Sequence, residues 1–313
     1  MSAPPTTQSR SLIGTIKTWC EFVKISHTLF ALPFALASMV VAARDTKGWP
    51  GWKLFGLIVA AMFCARTCAM AFNRIMDRDI DAKNPRTANR HLPSGQISLF
   101  SAWLLWATAA IGFVAVTYHI NTICFILSPV ALAVVCFYSL TKRFTDFSHF
   151  YLGIALALAP IGAWLAVKGG FVLMPLRESA VLPLMMAVAV VFWLVGFDVI
   201  YAIQDYEFDR KHGLHSLVVR WGPQNALRAA FLSHFLMLLI LLLFGLLCRF
   251  RVAYFVGLSL IIICVMLEHW IAGKRSLNWV QTAFFKLNAV ISIVFLTVVV
   301  AEVAFPDFFR LMK

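Results

Sequence analysis

The sequence has little charge. Only 13% of its 313 residues are Asp, Glu, Lys or Arg, and just 14 are acidic, where a soluble domain carries about 25% charged residues. That shortfall excludes an ordinary water-facing globular surface. Paired cysteine motifs are missing too. The seven cysteines (Cys20, Cys64, Cys68, Cys124, Cys136, Cys248 and Cys264) show no CxxC spacing, so neither a disulfide framework nor a zinc site is indicated. Most lie in apolar runs and read as small core residues. The polar, Pro/Ser/Thr-rich stretch from Met1 to Arg10 does not resemble a cleavable signal, and the first apolar span is expected to be retained.

What is abundant is apolar: 61% of residues are hydrophobic and the mean hydropathy is +0.84. In lipid every backbone polar group must be satisfied inside helices or closed barrels. Apolar runs of about twenty residues, rather than alternating ten-residue strands, select helices. Nine spans are expected, near 27–43, 52–73, 97–117, 121–140, 149–167, 180–203, 226–248, 251–272 and 281–303. The expected fold is therefore all-α, a multi-pass transmembrane bundle forming one domain over residues 1–313. Two longer connections, 74–96 and 204–225, carry much of the charge and form cap loops.

The net charge of +13 raises nucleic acid as a partner, but no soluble basic module exists to carry it. The basic residues instead flank apolar spans, as anionic lipid and the positive-inside rule require. With the N-terminus inside, 15 Lys and Arg fall inside and 9 outside, with Arg66, Arg228 and Lys286 set aside. Both cap loops are then expected on the cytoplasmic face of a bacterial inner membrane. No obligate protein partner is indicated.

Seven of the 14 acidic residues fall into two groups: Asp77, Asp79 and Asp81, then Asp198, Asp205, Glu207 and Asp209. Each group ends a span, the second and the sixth, on one face. The four-span offset hints at an internal four-helix repeat. Asn73, Asp77 and Asp81 stand at i, i+4 and i+8, one helical face, with Arg66 two turns back. Like charges at that spacing destabilise a helix end unless a cation lies between them. Oxygen donors favour Mg²⁺, which binds one or two carboxylates plus substrate phosphate. Asp198, Asp205 and Asp209 fall at i, i+7 and i+11, one stripe if the helix continues, with Tyr201 and Gln204 beside it. The plainer alternative for both groups is a solvated helix end, its acids paired with neighbours such as Arg74, Arg78 and Lys83. A second cluster, and an arginine inside an apolar span that needs an anionic partner, favour two carboxylate sets holding Mg²⁺ around a diphosphate. Arg66, Arg86, Arg90 and Lys211 would neutralise the remaining phosphate charge. Ionisation to an allylic cation then requires an apolar, water-excluding cavity.

The motifs resemble those of the UbiA family of intramembrane aromatic prenyltransferases. NxxxDxxxD at Asn73, Asp77 and Asp81, the preceding Arg66, and the following NPRT…R…LPSG match its first signature. DxxxD at Asp205 and Asp209, upstream Asp198, and K-x-G-x-x-S at Lys211, Gly213 and Ser216 match its second. The resemblance implies Mg²⁺-dependent transfer from a polyprenyl diphosphate to a hydroxylated aromatic acid, a 4-hydroxybenzoate-like acceptor, in quinone biosynthesis. It assigns Asn73, Asp77, Asp81, Asp205 and Asp209 to metal, with Asp77, Asp81, Asp205 and Asp209 as the catalytic set. Lys24, Lys142, Arg143, Asp198 and Tyr201 are implied on the aromatic acceptor, although Tyr138 to Arg143 reads equally as a positive-inside anchor. Departures exist: His27 breaks the pattern of 4-hydroxybenzoate enzymes. The NPRTANRHLPSG and FDRKHGLHS wording is similar to the futalosine-route menaquinone branch, whose acceptor is a dihydroxynaphthoate. His91, His212 and His215 fit that branch or an interfacial polar role. A cation-coupled secondary transporter is the competing class; it predicts acids near the bilayer midplane and broken helices.

Overall fold

The computed structural model describes residues 12–25, 28–171, 179–274 and 277–306. His27 lies outside them, as do Arg10, Arg177, Arg275, Arg310 and Lys313 of the charge count. Among the described residues all regular structure is helical: α1 (Leu12–Phe22), α2 (Thr28–Ala42), α3 (Trp52–Met76), α4 (Arg78–Lys83), α5 (Leu99–Ile120), α6 (Thr122–Thr141), α7 (Ser148–Lys168), α8 (Val181–Ala202), α9 (Tyr206–Lys211), α10 (Leu217–Leu247), α11 (Val252–Gly273) and α12 (Leu277–Ala304).

Each expected span corresponds to a helix. Among the described residues eight helices are long and apolar enough to cross a membrane. The first span, α2, has 15 residues and extends only about 22 Å, short of the roughly 30 Å hydrocarbon core. Capping chemistry sets several starts. Ser98 accepts from Ser101 N at 3.1 Å, Asn121 from Cys124 N at 2.9 Å and Ser216 from Val219 N at 3.1 Å, each satisfying an otherwise orphaned donor.

Three expectations need correction. The sequence pattern missed α1. The seventh span, expected from residue 226, begins at Leu217 because two helical pieces join at Gly222. Gly222 there takes φ 76°, and Pro223, with no N–H to lose, restarts the helix. The helix carrying Asp198 does not run on to Asp209. It stops at Ala202, passes through a 3₁₀ turn over Ile203–Asp205 and resumes as α9.

The bundle packs α8 against α7 and α10, α2 against α7 and α12, and α11 against α12. The pairing of α3 with α5 is echoed by that of α8 with α10, which is the offset a four-helix repeat requires. At Gly196 an added Cβ would lie 2.2 Å from the His234 ring, so only glycine permits that approach of α10 to α8. The buried centre holds Trp193, Phe34, Phe295 and Phe244, with Trp193 Nε1 donating to Asn288 Oδ1 at 2.8 Å. A dense aromatic centre leaves α3, α6 and α7 to enclose the space in the other half.

Candidate active site

Asn73 lies on the last turn of α3, and Asp77 caps it with φ −87° and ψ 2°. Asp77 N donates to Asn73 O at 2.9 Å and Asp81 N to Asp77 O at 2.7 Å. Helical spacing therefore survives the break between α3 and α4, and the three side chains keep one face. Asn73 Nδ2 donates to Asp77 Oδ2 at 2.9 Å. Asp81 is buried, and Arg90 Nη1 stands 2.7 Å from each of its carboxylate oxygens. The buried Arg74 lies 4.0 Å from the same carboxylate.

The first cap loop crosses to hold the second acidic group. Asn84 is extended (φ −90°, ψ 117°), as a residue before proline must be. Its amide donates to Asp205 Oδ1 at 3.2 Å. Arg86 Nε donates to the same oxygen at 2.8 Å and Nη2 to Oδ2, a bidentate pair. Arg86 Nη1 donates to Tyr201 OH at 2.9 Å. One turn before Tyr201, Asp198 accepts from His149 Nδ1 at 2.6 Å.

All of these but His149 line one cavity of about 1590 Å³ including its open mouth, which Lys24, Arg66, Tyr138, Lys142, Arg143 and Asp209 also bound. A second, apolar cavity of about 1110 Å³ lies between α2, α3, α5, α6 and α7. The two share Arg66, Tyr138, Leu152 and Leu156. Arg66 Nε is buried without a hydrogen-bond partner, so a guanidinium donor is available where the cavities join.

Electrostatics mark the polar chamber. Burial pushes the Asp77 carboxyl above its ordinary value, Lys142 opposes and Asp81 adds to it. Burial works to strip the Lys142 proton, but Asp209, Asp198, Asp77 and Asp205 together outweigh it and raise its pKa. Lys142 is the cation that feels both acidic groups at once. Burial first, then Arg74 and Arg90, lower the Lys24 ammonium, whose backbone is held at φ 49°.

Among the described residues no three His, Cys, Asp or Glu side chains gather closely enough to hold a metal alone. Mg²⁺ asks for less, because substrate phosphates and water complete its octahedron. The carboxylates and Asn73 supply that donor set, and guanidinium groups already rest against Asp81 and Asp205 as stand-in cations. The residues fit a hard divalent cation.

Of the residues singled out from sequence, the cavity gathers Lys24, Arg66, Asn73, Asp77, Asp81, Arg86, Arg90, Lys142, Arg143, Asp198, Tyr201, Asp205 and Asp209. Lys211 is not among them: at the end of α9, two residues past Asp209 and so on the other side of the helix, it is exposed and lies outside the lining, as do Asp79, Gln204 and Glu207. Arg86 and Arg90 bind carboxylates rather than stand free. Arg143 Nη2 donates to the Met76 carbonyl at 2.6 Å, capping α3. Sequence reasoning missed Asn84 as a partner of Asp205, and His149. For His149 a signal existed: an ionisable ring at the start of an apolar span needs a partner.

The sequence profile of the UbiA prenyltransferase family matches residues 31–290. The 4-hydroxybenzoate octaprenyltransferase of Francisella tularensis subsp. mediasiatica (strain FSC147) is 27% identical over 286 residues, 91% of this chain and 97% of that protein. The mitochondrial 4-hydroxybenzoate polyprenyltransferase of Drosophila melanogaster is 30% identical over 222 residues, 70% of this chain and 55% of that protein. Among solved structures, the apo UbiA homologue from Aeropyrum pernix K1 matches with a TM-score of 0.79 at 32% identity, covering 89% of this chain and 98% of that one. The UbiA homologue from Archaeoglobus fulgidus bound to GPP and Mg²⁺ shares the fold, with a TM-score of 0.67 at 22% identity over 90% and 99% of the two chains. With the profile spanning most of the sequence and the site built from both acidic motifs, the chain belongs to the UbiA prenyltransferase family.

Proposed function

We propose that the protein transfers a polyprenyl chain from a polyprenyl diphosphate to a hydroxylated, 4-hydroxybenzoate-like aromatic acid in quinone biosynthesis, with Mg²⁺. The observation that carries this reading is the join of the two cavities at Arg66 and Tyr138. A diphosphate suits the charged chamber and its prenyl tail the apolar one. Relatives named for 4-hydroxybenzoate, and a neighbour that binds GPP and Mg²⁺, support it.

In this reading Asn73, Asp77 and Asp81 hold one Mg²⁺, and Asp205 and Asp209 the other. Bound Mg²⁺ would neutralise the diphosphate and improve it as a leaving group. Arg66, Arg86 and Arg90 grip phosphate oxygens, the latter two by exchanging a carboxylate partner for phosphate. Lys142, placed among four carboxylates, shares that role in place of Lys211. Lys24 and Arg143 take the ring carboxylate, and Tyr201 and Asp198 orient the ring. Phe30, Leu194 and Phe197, which line the inner wall, keep water from the allylic cation. The aromatic ring then attacks C1, and no covalent enzyme intermediate is needed.

The whole chain acts as one domain in the bacterial inner membrane, with both cap loops cytoplasmic. The transporter reading gives way: the acids gather at one end of the helices, and the family is one of transferases. Purified protein in lipid, given one polyprenyl diphosphate, Mg²⁺ and a panel of hydroxy-aromatic acids, tests the proposal by mass spectrometry. A prenylated 4-hydroxybenzoate supports it. A dihydroxynaphthoate product moves the acceptor to the menaquinone branch, and no aromatic product overturns the reading.

A further inference from the structure

Prenyl transfer to a ring carbon releases a proton as well as diphosphate. The C1–O bond breaks with its electron pair leaving on the diphosphate, the ring carbon bonds to C1, and the ring C–H must then give up H⁺ to restore aromaticity. That proton needs an acceptor, and the carboxylates lining the polar chamber are the protein groups placed to take it. Most carboxylates there are poor acceptors. Asp81 is chelated by Arg90, Asp205 by Arg86 and Asn84, and Asp77 accepts from Asn73 in the set that suits a metal. Hydrogen bonds to fixed cations favour the charged form and weaken a carboxylate as a base.

Asp198 differs. It lines the cavity, its side chain remains 22% exposed, and its partner is an imidazole that is itself only 1% exposed. His149 Nδ1 stands 2.6 Å from Asp198 Oδ2, and His149 Nε2 is buried without a partner. Bonded through Nδ1 alone, the ring donates at that one atom and aims one carboxylate oxygen. Unlike a guanidinium, it does so without adding a permanent positive charge.

We infer that Asp198 takes the proton released from the aromatic ring, and that His149 is the positioning residue that holds Asp198 for that task. The inference rests on the aromatic-transfer reading and assigns that site its base. Asp198 belongs to α8 and His149 to the first turn of α7, so the α7–α8 packing sets the base's direction. His149 does not line the cavity and acts only through Asp198.

The test uses the full-length protein in lipid with Mg²⁺, geranyl diphosphate and 4-hydroxybenzoate, or another acid of the panel that the wild type prenylates, with or without ring deuterium. His149→Phe removes the donor and is expected to lower kcat about 100-fold, the scale of a lost general base, with KM for geranyl diphosphate unchanged. Because C–H cleavage becomes slow, a primary deuterium isotope effect on kcat emerges that the wild type lacks. His149→Asn places an amide nitrogen near the Nδ1 position and is expected to recover most of the rate and suppress the isotope effect. His149→Gln, whose nitrogen reaches toward Nε2, does neither. Should His149→Phe fail to fold, the Asn and Gln variants carry the comparison. Equal rates in those two, or a slow variant with no isotope effect, overturns the inference while leaving aromatic transfer intact. A wild type that prenylates no aromatic acid overturns the function itself, and this inference with it.

Discussion

Arg86 lays its guanidinium across Asp205, with Nε 2.8 Å from Oδ1, although 119 residues separate the two in sequence. One arginine of the first cap loop therefore closes the site over the second acidic motif. Removing it leaves Asp205, only 8% exposed, with the weaker Asn84 contact. Breaking a buried pair costs about 3–5 kcal/mol, and because Arg86 keeps 27% of its side chain exposed, solvent screening reduces this to about 1–3 kcal/mol. Arg86→Ala is expected to melt lower than the wild type in detergent without Mg²⁺. Added Mg²⁺ should raise its melting temperature more than the wild type's, since the ion takes over the guanidinium's place. An equal Mg²⁺ shift in both proteins would argue that Asp205 holds no metal.

Asp77→Ala and Asp205→Ala each remove a carboxylate from a different acidic group. If both groups hold Mg²⁺ on the diphosphate, each variant loses several kcal/mol of charge stabilisation, a fall in rate of about 100-fold or more. Membrane insertion should be untouched, because both residues lie past the ends of α3 and α8. Prenyl transfer by membranes with matched protein levels checks this. Full activity in either variant removes that carboxylate from the site.

The bundle was legible because about twenty apolar residues leave the chain few alternatives to a spanning helix. Asn73, Asp77 and Asp81 were legible as a face because local hydrogen bonds carry helical spacing across the break. What could not be read is the long-range pairing. Nothing local to Arg86 says that it meets Asp205, nor that Arg90 folds back on Asp81 rather than waiting for phosphate. The stripe through Asp198, Asp205 and Asp209 assumed a continuous helix; all three line the cavity in spite of the 3₁₀ turn at Ile203–Asp205, while Lys211, two residues past Asp209, falls on the other side of α9. Helix α1 escaped because its partners are distant in sequence: Phe22 packs with Met70, Ala71 and Ile75 of α3, its ring meets His91 at 6.1 Å, and Glu21 stands 3.8 Å from His91. That pairing gives His91 a structural role independent of any acceptor.

The Asp77 carboxyl makes the site pH-dependent. Its folded pKa lies above the ordinary value for Asp, from burial first and Asp81 in part, so the folded state holds this proton to higher pH than the unfolded chain does. Its protonated form contributes stability below the unfolded value, and that contribution is lost as pH rises through the folded one. A protonated carboxyl does not bind Mg²⁺. As pH falls toward the raised value, the Mg²⁺ concentration for half-maximal transfer should rise, and at higher pH than an ordinary Asp would cause. In Asp77→Asn, whatever its residual rate, that limb of the profile should flatten. A wild-type Mg²⁺ requirement constant down to the ordinary carboxylate range would show that Asp77 is not a ligand.

The apolar cavity predicts a length-dependent phenotype. Along α6 it runs from Tyr138 at the join to Cys124 near the far end, fourteen residues and so about 21 Å at 1.5 Å each. Its wall on α7 sets small side chains, Ala155, Ala159 and Ala163, between leucines, and their size leaves space open. Ala159→Phe fills the passage without touching the carboxylates. A short geranyl chain should still seat its first units beside Leu152 and Leu156, whereas an octaprenyl chain must pass the new ring. Losing even small complementary apolar contacts costs about 10–200-fold in discrimination. The ratio of kcat/KM for geranyl over octaprenyl diphosphate is therefore expected to rise by that order in Ala159→Phe, with the Mg²⁺ dependence unchanged. If both substrates fall equally, the residue acts on the bundle's packing and the prenyl tail lies elsewhere.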